Sequence, residues 1–151
     1  MKIGAALSGV SRLYIEAAPF IYYTENRAGY VDTMRAIFRH VLAQRLTVIV
    51  STIILPECLM KPLQANDGEL VTAYEALFEN AEEITLVPVD VQIARRSAHL
   101  RARYNLKTPD ALHLATAVES ACQAFLTNDL NIRRVTELRV LVLDELELDP
   151  A

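Results

Sequence analysis

The stretch Thr108-Pro-Asp-Ala-Leu-His-Leu-Ala-Thr-Ala117, and the run Ala124-Phe-Leu-Thr-Asn-Asp129 that follows it, decide how this chain reads. A threonine able to cap, a proline at the first helical position and an acid in the first turn mark a helix start. The Ala- and Leu-rich residues after them predict a helix to about Ser120. Ala124–Thr127 is short and apolar, which predicts a buried strand. A helix feeding a buried strand belongs to a βαβ pattern, and the same alternation extends outward in both directions.

Toward the C-terminus, Leu138–Leu143 predicts another strand, and 144–151 reads as an acidic tail. Toward the N-terminus, Val91–Tyr104 is a helix carrying four arginines, Ile84–Val87 a strand, and Asp67–Asn80 a helix with Leu70, Ala73, Tyr74, Leu77 and Phe78 on one face. Thr47–Val50 is β-branched and reads as a strand. Ser51 or Thr52 is the expected cap of the next helix, with Pro56 near its first turn and Lys61-Pro62 as a stop or bend. Tyr30–Gln44 has helical spacing at Val31, Met34, Ile37, Phe38, Val41 and Leu42. Phe20–Glu25 is a short helix opened by Pro19, and Arg12–Ile15 is the first strand, with 1–12 an N-terminal extension. The expectation is a single α/β domain over 1–151, with a mainly parallel central sheet of about five strands flanked by helices on both faces.

With 151 residues, 52% of them hydrophobic, the chain is long enough to bury a core without staples. Two cysteines, Cys58 and Cys122, are too few for a disulfide framework and read as buried thiols of a reducing cytoplasm. The longest apolar run, Leu46–Leu55, falls short of the roughly 20 residues a bilayer requires, so no membrane partner is expected. Net charge is −4, yet eight basic and five acidic residues lie between Asp90 and Arg139, a local +3 that leaves −7 elsewhere. Solvated helix faces explain such a run about as well as a nucleic-acid surface does.

On a parallel sheet, ligands bind outside the carboxyl ends of the strands. Glu16 follows the first strand, Asp129 the fourth; Glu57 and Asp110 lie near the starts of helices. All four can share one edge. Singly, Asp110 is explained by the helix dipole and Asp129 by a turn. Glu16, before Ala-Ala-Pro, and Glu57, between Pro56 and Cys58, have no such duty. Converging carboxylates repel one another, and a hard divalent cation removes that cost. His113 lies one turn beyond Asp110 and reads as a polar neighbour on the helix rather than a ligand; His40 and His99 read as surface or boundary residues. No Ser-His or Cys-His pair and no glycine-rich phosphate loop is visible. A phospho-acceptor receiver domain also gathers acids on an α/β sheet, but it needs an early acid pair and a late lysine. Met1–Leu13 has no acid, and the last third has only Lys107.

Four segments resemble the motifs of the PIN family: Leu13-Tyr-Ile-Glu-Ala-Ala-Pro-Phe-Ile21, Val48-Ile-Val-Ser-Thr-Ile-Ile-Leu-Pro-Glu57, Thr108–Ala117 and Phe125-Leu-Thr-Asn-Asp129. The resemblance covers nearly all of the chain from Leu13 onward. It implies a Mg²⁺- or Mn²⁺-dependent endoribonuclease similar to the VapC toxins of type II toxin–antitoxin pairs, with RNA as substrate, a cognate antitoxin as partner and a homodimer as assembly. It implies metal-ligand roles for Glu57, Asp110 and Asp129, with Glu16 at the first acidic position and Thr127 and Asn128 in support. Arg133, Arg134, Arg101 and Arg103 are the arginines expected to meet RNA. Two positions depart from the pattern: Glu16 stands where the family typically has Asp, and Ala17 where a serine or threonine often sits. These departures support a second reading, a catalytically weak PIN fold that binds RNA or a protein.

Overall fold

The computed structural model describes residues Met1–Ala151. Five strands, β1 (Arg12–Ile15), β2 (Thr47–Ser51), β3 (Ile84–Val87), β4 (Ala124–Thr127) and β5 (Arg139–Val142), form one sheet in the order β3-β2-β1-β4-β5. Every pairing is parallel. Seven helices surround it: α1 (Ile3–Ala6), α2 (Ala17–Thr24), α3 (Val31–Gln44), α4 (Ile54–Gln64), α5 (Gly68–Asn80), α6 (Val91–Tyr104) and α7 (Thr108–Glu119).

The period of two along each strand divides the core. Leu13, Val48 and Ala124 share a register row and face the cluster that contains the buried residues of α1 through α5. The next row, Tyr14, Ile49 and Phe125, faces the opposite cluster, built on Ile93, Leu100, Ala111 and Leu114 of α6 and α7. Tyr14 and Phe125 stack with centroids 5.0 Å apart. Helices therefore cover both faces, as the alternation of elements predicts.

The chain leaves β1 for β2 on one side, and β4 later adds on the other side of β1. This is a topological switch point, and it sets the carboxyl ends of β1 and β4 side by side. The amide of Glu16 continues the ladder by donating to Leu126 O at 3.1 Å.

Several boundaries differ from the sequence expectation. Helix α2 starts at Ala17 rather than Phe20, with Pro19 at its third position; a proline is tolerated anywhere in the first turn, where N–H groups lack helical partners. Helix α4 is capped at Ile53, with Ser51 Oγ accepting from Ile53 N at 3.3 Å just before it. Pro62 does not stop α4 but sits buried inside its last turn, where its missing N–H removes one helical bond. Lys107, not Thr108, occupies the cap position of α7 and gives no side-chain cap.

Residues 1–12, an extension by the sequence pattern, contribute Ile3, Ala6, Leu7 and Val10 to the larger core cluster. The acidic tail closes over them: Ile3 N donates to Glu147 O, Glu147 N to Met1 O, and Gly4 N to Asp149 Oδ2. Arg139 Nη1 reaches the carbonyls of Ala6 and Ser8, both at 2.9 Å.

Candidate active site

The four predicted acids come from four elements that meet at the carboxyl edge of the sheet. Glu16 is the residue between β1 and α2, and Asp129 lies two past β4. Glu57 lies in the first turn of α4 and Asp110 in the first turn of α7. Burial pushes the Glu16 carboxyl up to about 7, with the charges of Asp110 and Glu57 adding to it and His113 and Thr127 opposing it. Asp110 is raised first by burial and then by the charge of Asp129, with Glu57 contributing further. The acids thus act on one another electrostatically, as convergence requires.

The hydroxyl of Thr127 joins two of them. Buried at the end of β4, it donates to Glu16 Oε2 and accepts the Asp129 amide at 3.0 Å. Asp129 Oδ1 accepts from Asn131 N at 2.9 Å and so caps the 3-10 helix Leu130–Arg134. The turn duty seen in the sequence is real, and it occupies one of the two oxygens. Asn128 faces elsewhere: its Oδ1 accepts Asp144 N at 3.0 Å and its Nδ2 reaches Tyr22 Oη at 3.5 Å.

His113, which the sequence presents as a polar neighbour on the helix, is tied directly to one of the acids. It is 1% exposed and bridges two side chains, with Nε2 at 2.6 Å from Glu57 Oε1 and Nδ1 at 2.5 Å from Tyr14 Oη. Its position one turn after Asp110 was the available signal; its partner Tyr14, 99 residues away in sequence, gave none.

All four acids offer hard carboxylate oxygen, the donor chemistry that suits Mg²⁺ or Mn²⁺. No three His, Cys, Asp or Glu side chains stand close enough together to hold an ion. Shared charge, rather than ligating distance, relates them.

The predicted RNA-binding arginines are exposed and each has a partner within the chain. Arg133 pairs with Glu145, and Arg134 bonds the carbonyls of Asn131 and Tyr104. Arg101 Nε donates to Leu106 O at 3.0 Å, and Arg103 lies 3.7 Å from Glu137. A surface groove of about 690 Å³ runs beside α6 and is lined by Arg95, Arg96, His99 and Arg103 with Glu119 and Glu137; none of the four acids borders it. A smaller groove of about 350 Å³ reaches Glu57, between α2 and α4.

The fold is a five-stranded parallel α/β sheet with four acids near its switch point. A family model of the PIN domain matches residues 13–138, and the chain belongs to that family. No curated protein matches it significantly. Among solved structures it is similar to DNA-bound VapBC from Salmonella typhimurium, at TM-score 0.69 and 15% identity over 87% of this chain and 98% of that one. VapBC2 from Rickettsia felis, bound to a DNA fragment from its promoter, aligns at TM-score 0.67 and 14% identity, with the same coverage of both chains. VapC20 of Mycobacterium tuberculosis, a toxin that cleaves the sarcin–ricin loop, aligns at TM-score 0.63 and 13% identity over 84% of this chain and 98% of that one. At these identities the likeness is one of fold.

Proposed function

We propose that this protein is a Mg²⁺- or Mn²⁺-dependent endoribonuclease, the toxin of a type II toxin–antitoxin pair acting in the cytoplasm. The observation that carries the reading is the placement of Glu16 after β1, Asp129 after β4, and Glu57 and Asp110 in the first turns of α4 and α7, at the switch point of a PIN fold. These carboxylates would hold the metal, directly or through water. A divalent cation at such a site lowers the pKa of a water and offsets charge developing on a phosphodiester. The chain's own contribution is to keep Glu16 in place through Thr127 and to present Asp110, whose oxygens accept no helix cap, at the edge of the site.

Arg133, Arg134, Arg101 and Arg103 are assigned to the RNA backbone. Exposed ion pairs are worth only about 0–1 kcal/mol, so a phosphate can displace Glu145 from Arg133 or Glu137 from Arg103. A cognate antitoxin is the assigned protein partner, in keeping with the VapBC complexes among the structural neighbours. The assembly is a homodimer. The apolar stripes of α3 and α5 are largely taken up by the core, apart from Leu42, at 61% exposure, and the exposed Ala73. Met60 and Leu63 of α4 are the better interface residues, at 53% and 59%. No helix is long and apolar enough to cross a membrane.

The test is cleavage of labelled structured RNA by purified protein with Mg²⁺, with Mn²⁺ and with EDTA; metal-dependent cleavage is expected. The second reading, a binding module, draws on the absence of three ligating side chains in one place. It predicts RNA or protein binding without cleavage under every metal.

A further inference from the structure

Tyr14 and His113 are buried on the sheet face that α6 and α7 cover, beside Ile49, Leu114 and Phe125. Apolar residues would fill that layer without the cost of burying a phenol and an imidazole. Instead, hydrogen bonds run in one line from the sheet to Glu57. Ser51 N donates to Tyr14 Oη at 3.0 Å. Tyr14 Oη lies 2.5 Å from His113 Nδ1, and His113 Nε2 lies 2.6 Å from Glu57 Oε1.

For a neutral imidazole, donor counting gives the direction. Tyr14 already accepts the Ser51 amide, so its own proton goes to the nearest acceptor, His113 Nδ1. An imidazole that accepts at Nδ1 carries its proton on Nε2 and donates it to Glu57.

We propose that Tyr14 and His113 are positioning residues for Glu57: the tyrosine sets the imidazole tautomer, and the imidazole grips one carboxylate oxygen while leaving the other for a ligand. The assignment rests on the metal-binding reading above. Groups that orient a ligand without touching the metal typically change metal affinity by about 10–100-fold.

The experiment compares wild type, Tyr14→Phe, Glu57→Ala and the double variant by two readouts. Long-range ¹H–¹⁵N correlation reads the His113 tautomer in metal-free protein. Mn²⁺ titration reads affinity. The expected results are a single Nε2–H tautomer in wild type, a tautomer mixture in Tyr14→Phe, and Mn²⁺ binding about tenfold weaker in that variant. In the Glu57→Ala background, Tyr14→Phe should cause no further loss, because its effect passes through Glu57. His113→Gln, which keeps an N–H donor, should bind Mn²⁺ more tightly than His113→Leu.

Unchanged tautomer and affinity in Tyr14→Phe overturn the proposal. So does an equal loss in the presence and absence of Glu57, which marks a general packing effect. If wild type binds no Mn²⁺, both the metal reading and this role fall, whereas a wild type that binds Mn²⁺ beside an unaffected Tyr14→Phe removes only the positioning role.

Discussion

The Thr127 hydroxyl is hydrogen-bonded to Glu16, so the last residue of β4 holds the acid that follows β1. At Ala17, where the family often carries a hydroxyl, this chain has none, and the neighbouring strand supplies one instead. The longer glutamate is thereby given a fixed anchor. Thr127→Val keeps the branched shape and removes the anchor. It should weaken Mn²⁺ binding about 10–100-fold. It should also lower stability by about 1–3 kcal/mol, because the Asp129 amide loses its acceptor. Metal titration and urea unfolding check the two parts.

Glu16 makes metal-free stability depend on pH. Its folded pKa, raised to about 7, exceeds its unfolded value, so the folded state holds the proton more tightly. That contribution is complete below the ordinary glutamate range and is lost as pH rises toward and through 7. The slope is at most about 1.4 kcal/mol per pH unit from this group. Melting in EDTA should show stability falling between about pH 5 and 7, and Glu16→Gln should flatten the decline.

The N-terminal segment is a part of the core. Ile3 is 1% exposed and packs with α3 residues in the larger cluster. Ile3→Ala should cost about 2–5 kcal/mol. A thermal melt near that of wild type would show that residues 1–12 pack loosely.

If Arg133 meets a phosphate, Arg133→Ala should weaken RNA binding across sequences and reduce the salt slope of binding by about one. Binding measured over a series of KCl concentrations with Asp110→Asn, which keeps the RNA intact, makes the comparison. An unchanged slope leaves Arg133 to its pair with Glu145.

The fold was legible because each strand is a short bounded apolar run and each long helix shows its own period, as in β4 and α3. The four acids were legible because a parallel sheet dictates where strand ends and helix starts fall. The links between them were not. Tyr14–His113 and Thr127–Glu16 join residues 99 and 111 positions apart, and no local pattern encodes such pairs. The role of Arg139 in holding the carbonyls of Ala6 and Ser8 was hidden for the same reason. Helix caps were missed by one or two residues, because a Ser or Thr near a helix start need not be the residue that turns the chain.

The most direct test of the central claim, that the four acids form one catalytic metal centre, is RNA cleavage by wild type and Asp110→Asn side by side in Mg²⁺, Mn²⁺ and EDTA. The account predicts cleavage by wild type only with metal, and none by the variant although it remains folded. Cleavage that persists in EDTA, or a variant as active as wild type, would contradict it.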